Sequence, residues 1–320
     1  MPISSRIQIA TLCTAPAFLS LCEGVSRPWF VRRLTRPFRH ALAAVLLDLV
    51  SGLLRMMPRA WVGDAGHFFG LFVGCIARRQ NRLVKTQLSA RLNVPPATRQ
   101  IWGDLGRRLF ELMDAKRQMS KVRISSNGKR IFEDAQAEGR GVLLATIHLG
   151  HWELMAAALA QSGYHFKSIA AQPKSNPIHR RLAAMRHRLG VQIIHPGRGA
   201  RNALRELKGG GAVSVFIDQN TGERSRTIDF LGHPAPTPLT FDRLRQVSQA
   251  VPLMVWNYRD GMGSYVVELA RLDDTDPLKC ATEQAEALIR AHPEQWIWIH
   301  KRWDNHVDRS REPNQKTITI

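Results

Sequence analysis

Six residues between Gly141 and Gly150, Val142 to Ile147, form an apolar and partly β-branched run, which predicts a buried strand. From Trp152 onward Leu154, Met155, Ala158 and Leu159 recur at helical spacing, so a helix starts near Gly150–His151. The same reading gives a strand from Ala212 to Ile217 that ends at Asp218. Two more follow at 253–258 and 264–269, joined through an Asp260-Gly261 turn. Helical stretches at 177–189, 200–208 and 277–291 separate them. Strand and helix alternate, which predicts an α/β fold: a mixed β-sheet flanked by helices on both faces. Residues 232–239, GHPAPTPL, read as a loop, because alternate prolines interrupt both kinds of ladder.

The amino-terminal part follows a different pattern. Two apolar stretches, 41–54 and 60–77, carry Asp48 and then Asp64 and His67. Both fall short of the ~20 clean apolar residues of a spanning helix. Arg27, Arg32, Arg33, Arg36 and Arg39 precede the pair, and Arg78, Arg79 and Arg82 follow it. Positive charge on both sides suits helices lying on an anionic bilayer better than a single span. The chain therefore divides into a basic extension of unassigned role (1–40), membrane-associated apolar helices (41–77) and a main α/β domain (78–320). Residues 8–22, with Arg6 ahead, have the apolar core of a signal peptide but no clear cleavage signal.

Composition narrows the partners. Lys and Arg total 46 against 26 Asp and Glu, a formal net charge of +20, which implies an anionic partner. The arginines are scattered between apolar runs and no nucleic-acid-binding motif is present, so an acidic protein or lipid is expected and nucleic acid is not. Cys13, Cys22, Cys75 and Cys280 have neither metal-like spacing nor a disulfide-dense pattern, as in a reducing compartment. A chain of 320 residues can bury one substantial core.

The candidate chemistry sits at the first strand-to-helix junction. His148 falls at the strand's carboxyl end and Glu153 in the first helical turn, so a carboxylate can reach back to one imidazole nitrogen while the other faces a substrate. Amides at the helix start near Gly150 are available to a developing negative charge. The same spacing also fits a junction histidine that only caps or packs. There is no HExxH, and no metal is expected. Arg186 and Arg188 near the end of the 177–189 helix are candidates for anion recognition, within a helix that Arg180 and Arg181 already make basic. Asp218 is either a substrate-binding carboxylate or a strand-end turn former. Trp296, Trp298 and His300 alternate and read chiefly as core packing.

The segment IHLGHWEL resembles the H-x4-D/E motif of the lysophospholipid acyltransferase superfamily. It is most similar to the form found in bacterial lipid A biosynthesis acyltransferases, the lauroyl and myristoyl transferases. The resemblance continues through RRQNRLVKTQLSARL (78–92), QPKSNPIHRRLAAMRHRLG (172–190), GGGAVSVFIDQN (209–220), DFLGHPAPTPLTFDRL (229–244) and AHPEQWIWIHKRWD (291–304). It covers roughly residues 41–305. Two positions depart from the family pattern: His151 stands where Asn is usual, and Gln172 where Arg commonly precedes Pro.

The resemblance implies a glycerolipid acyltransferase-like fold and transfer of a fatty acyl chain from acyl–acyl carrier protein to a hydroxyl of a lipid A precursor. His148 would be the base and Glu153 its orienting carboxylate. Arg186 and the Gly150 amides would stabilise the oxyanion, with Arg188 and Asp218 in the binding set. The donor is a co-substrate and no cofactor is implied. Acidic acyl carrier protein and anionic membrane lipid are the expected partners, at the cytoplasmic face of the inner membrane. A phospholipid, ornithine-type or mannoside acceptor is the alternative, and a non-enzymatic anionic-surface binder the more distant one.

Overall fold

The computed structural model describes residues 29–92, 98–170, 177–195, 199–220 and 224–303, with backbone alone for 29–40 and 177–179. Gln172 and the extension before Trp29 lie outside the described residues. Helices α1 (Trp29–Met56), α2 (Arg59–Ile76), α3 (Arg78–Leu92) and α4 (Thr98–Met113) come first. The expected boundary at residue 40 therefore falls inside a continuous helix.

Next come β1 (Val122–Ile124), α5 (Ser126–Ala137), β2 (Val142–Thr146), α6 (Trp152–Gln161), β3 (Phe166–Ile169), α7 (Pro177–Arg188) and β4 (Gln192–Ile194). The remainder is α8 (Gly199–Lys208), β5 (Ala212–Phe216), β6 (Ser225–Phe230), β7 (His233–Pro238), α9 (Thr240–Ser248), β8 (Val251–Arg259), β9 (Tyr265–Arg271) and α10 (Pro277–Ala291). The strands and helices predicted from residue 142 onward thus fall where the pattern puts them, within a residue or two, apart from the 232–239 segment.

Seven strands form one sheet in the order β1-β9-β8-β2-β5-β3-β4. The β8–β9 pair is antiparallel, and the other pairs are parallel. β2 is buried along its whole length because both faces are covered. Leu143 and Ala145 join one apolar cluster, while Val142 and Leu144 join the cluster on the opposite face. That double burial is why its sequence is continuously apolar rather than alternating.

One expectation is overturned. Residues 233–238 are a strand, β7, paired antiparallel with β6, not a loop. Pro234, Pro236 and Pro238 recur every second residue, opposite Asp229, Thr227 and Ser225. All three therefore fall on equivalent positions of a two-stranded ladder, where a missing N–H can face outward.

α2 and α4 cross at backbone contact. A Cβ on Gly70 would overlap the Trp102 carbonyl, and one on Gly106 would overlap the Gly66 carbonyl. Their outer surface is apolar and open: Leu42, Leu46, Leu49, Leu53 and Met56 on α1 and Trp61, Phe68 and Phe72 on α2 are exposed. Among the described residues no single helix is long and apolar enough to cross a membrane. α2 and α3 together have the length and apolarity, but they bend by 96° at their junction.

Candidate active site

β2 and β5 are parallel neighbours with Thr146 opposite Phe216. His148 and Asp218 each lie two residues beyond that pair, so the register alone brings them together at the strands' carboxyl ends. The chain then leaves in opposite directions, from β2 toward β3 and from β5 toward β8. A crevice opens at such a switch point, where ligands of α/β sheets bind.

The imidazole is held by Asp218. His148 Nδ1 is 2.8 Å from Asp218 Oδ1, and the backbone N–H of His148 donates to Oδ2 at 2.7 Å. The Trp296 indole N–H donates to the same Oδ2 at 2.8 Å. Burial alone would raise the Asp218 carboxyl, but the His148 charge and the His148 and Trp296 hydrogen bonds outweigh it and hold it below the usual carboxylate range. An ionised carboxylate only accepts, so Nδ1 carries a proton, and in the neutral form of the ring Nε2 keeps its lone pair. Phe216 stacks on the ring at 4.0 Å between centroids, and Trp152 meets it edge-on at 5.1 Å.

Four sequence-based assignments change here. Glu153, expected on His148, instead meets the Arg186 guanidinium, with Nε to Oε2 at 2.9 Å and Nη2 to Oε1 at 2.5 Å. Both are mostly buried, at 5% and 13% side-chain exposure. A carboxylate five residues after His148 has already turned into the helix, while the neighbouring strand end delivers Asp218 directly. Asp218 is accordingly an acceptor for His148 and Trp296 rather than a substrate contact. The Gly150 amide is already used, donating to the Gln295 carbonyl at 3.1 Å. Arg188 is exposed and lies outside the site. Two residues past Arg186, it is about 200° further round the helix.

The loop carrying His148 is fixed from three sides by residues the sequence did not single out. Asn257 Oδ1 accepts from the His151 N–H at 2.7 Å, and its Nδ2 donates to the Leu149 carbonyl at 3.3 Å. Arg108 Nη1 donates to the Gly150 carbonyl at 2.8 Å. Gly150 has φ +57, and a Cβ there would overlap the Asn257 backbone, so glycine is required on two counts. No local sequence signal marks Asn257 or Arg108, because their partners are backbone groups more than 40 positions away.

His151 caps α6, its Nδ1 accepting from the Leu154 N–H at 3.4 Å. Burial, with Arg108 adding to it, lowers its pKa from 6.5 to about 3. Between those values the unfolded chain binds a proton that the folded chain refuses, so stability falls as pH drops from 6.5 toward 3. One proton is worth at most about 1.4 kcal/mol per pH unit, or roughly 2 kcal/mol by pH 5. His151→Asn keeps a capping oxygen and removes the titration. Its urea midpoint is expected to change less between pH 7 and pH 5 than the native protein's; equal changes would remove His151 as the cause.

A cleft opens beside Trp152 and Phe216, the two rings packed on His148. Met155, Ala156, Leu159, Phe166, Val191 and Ile193 are among its apolar walls, and Trp152, Glu153 and Arg186 stand at it. Removing either partner of the Glu153–Arg186 pair would take from a mostly buried charge its bidentate counterion, at a cost of up to ~3–5 kcal/mol. Glu153→Ala and Arg186→Ala are therefore each expected to destabilise strongly, and the double variant by much less than their sum. The exposed Arg181–Asp48 pair, at 40% and 59% side-chain exposure, should be nearly silent. Additive losses in urea denaturation would show that Glu153 and Arg186 do not act as a pair.

Fold and site together define an α/β protein with a carboxylate-held imidazole next to a largely apolar cleft. The family described as bacterial lipid A biosynthesis acyltransferase matches residues 35–305. The chain belongs to that acyltransferase family. A phosphatidylinositol mannoside acyltransferase of Mycobacterium tuberculosis is 25% identical over 251 residues, covering 71% of this chain and 78% of the relative. The lipid A biosynthesis acyltransferase of Haemophilus influenzae is 26% identical over 181 residues, 54% of this chain and 56% of the relative. The lipid A biosynthesis lauroyltransferase of Escherichia coli K12 is 27% identical over 187 residues, 55% and 60% respectively.

Proposed function

We propose that this acyltransferase moves a fatty acyl chain from acyl–acyl carrier protein to a hydroxyl of a lipid A precursor, with His148 as general base. The observation that carries the reading is the His148–Asp218 contact of 2.8 Å, next to a largely apolar cleft lined in part by Phe216 and Trp152, the two rings packed on His148. Asp218 keeps the Nδ1 proton in place, so Nε2 takes the proton of the acceptor hydroxyl as its oxygen attacks the thioester carbonyl. The imidazolium formed is offset by Asp218, and it returns the proton to the departing thiolate. Glu153 and Arg186 shape the rim of the cleft, and the apolar walls receive the hydrocarbon chain.

The exposed apolar residues of α1 and α2 support seating on the inner membrane, with the net charge of +20 drawing the protein toward anionic lipid and toward acidic acyl carrier protein. A mannoside lipid is the second reading for the acceptor, favoured by the greater coverage of the mycobacterial relative. Mass spectrometry of membrane lipids from cells carrying the native protein or His148→Ala separates the two. One additional acyl chain on lipid A, present only with the native protein, is expected. The same mass increment on a mannoside lipid instead would reassign the acceptor, and no acylated product in either would overturn the reading.

A further inference from the structure

If the acyl-transfer reading holds, an oxyanion forms when the acceptor oxygen attacks, and several of the expected donors for it are committed elsewhere. The Gly150 amide donates to Gln295, the His151 amide to Asn257, and the Leu154 amide to His151. The Arg186 fork lies on Glu153. One side-chain donor beside the base is differently placed. Thr146 is 1% exposed, and its Oγ1 has no hydrogen-bond partner among the described residues.

Its position is set by the strand. Thr146 is two residues before His148, so the two share a face if the pleat continues. Its register partner across the sheet is Phe216, the residue stacked on the His148 ring. Thr146, Phe216 and Trp152 all line the cleft. A buried hydroxyl without a partner costs stability, and such groups persist where a ligand supplies the missing bond.

We infer that Thr146 is a catalytic donor whose hydroxyl hydrogen-bonds the thioester carbonyl oxygen and holds its charge during transfer. The acceptor oxygen forms its bond to the carbonyl carbon while His148 Nε2 takes the proton. The carbonyl electron pair moves onto the oxygen facing Thr146, which keeps its own proton. Collapse re-forms the carbonyl and breaks the carbon–sulfur bond, and the thiolate takes the proton from the imidazolium. The products are an ester and a free thiol.

The experiment compares Thr146→Val, Thr146→Ser and Thr146→Ala in the full chain, with lauroyl–acyl carrier protein as donor and a lipid A precursor or a phosphatidylinositol mannoside as acceptor. Loss of one oxyanion donor typically lowers kcat by about 10²–10³-fold. Thr146→Val is expected to show such a loss, with KM within about threefold and Tm unchanged or raised, since a partnerless hydroxyl has been replaced by a methyl. Thr146→Ser, which keeps the donor and loses the methyl, should recover most of the rate. A purely packing role gives the reverse order, with valine near native and serine and alanine impaired. Thr146→Val within threefold of native kcat overturns the inference, as does serine no better than alanine. Should valine fail to fold, the serine-to-alanine ratio decides alone. A native protein that transfers to neither acceptor overturns the acyl-transfer reading and this inference with it.

Discussion

His148→Ala is expected to lower acyl transfer by about 10²–10⁴-fold, the usual range for loss of a general base. The residue sits at a strand end against a carboxylate, and the two rings packed on it line the cleft. Asp218 at 2.8 Å takes the Nδ1 side of the ring, leaving Nε2 as the basic nitrogen. Phe216 and Trp152 fix the plane of the ring, so it loses little freedom when substrate binds. The ring is 7% exposed, and its removal leaves a cavity, so some loss of stability is expected as well. His148→Gln fills more of that space without a basic nitrogen and should be equally inactive. Rates with saturating donor and a matched check of folding by tryptophan fluorescence make the comparison. Near-native transfer by a folded His148→Gln protein would remove His148 as the base.

The second large effect is expected at Asp218, and it separates two arrangements of the site. The motif spacing suggests Glu153 as the carboxylate behind the imidazole, whereas the structure puts Asp218 there. Asp218→Asn preserves size but can turn its amide N–H toward Nδ1. The proton would then move to Nε2, the nitrogen that has to accept. A fall in kcat of about 10²–10⁴-fold is expected, comparable to that for His148. Trp296 and the His148 amide share the Asp218 Oδ2 atom, so Asp218→Ala would also disturb the loop, and the asparagine variant is the cleaner one. Glu153→Gln should cost less in kcat and more in stability, since it weakens a buried pair with Arg186 rather than the tautomer of His148. Measured on folded proteins at one pH, a larger kcat loss for Glu153→Gln than for Asp218→Asn would restore Glu153 as the orienting carboxylate.

The two roles exchanged because sequence distance and spatial distance diverge at a strand end. Glu153 is five positions from His148 and Asp218 is 70 positions away, so only the nearer carboxylate can be proposed as its partner from spacing. The parallel register of Thr146 with Phe216 cancels those 70 positions, because it places the residues after each strand side by side. Gly150 is legible as a junction residue, yet the use of its amide by Gln295 depends on a segment that follows every strand of the sheet in the chain. The prolines of 233–238 misled for a related reason. Proline rules describe the donors a residue lacks, and whether a donor is needed depends on what lies across the ladder.

The sequence by itself determined the alternation of elements, the burial of β2 and β5, the helix start after Gly150 and the presence of His148 at a strand end. Those follow from apolar periodicity and local turn chemistry, which act over a few residues. The resemblance of the ordered motifs added the family. Tertiary structure alone decided that Asp218 holds the imidazole, that Arg186 and Glu153 satisfy each other, and that Asn257, Arg108 and Gln295 fix the loop between them. Each of those contacts joins residues more than 30 positions apart. Strand order and register bring such residues within hydrogen-bonding distance, and neither is a property of any one segment.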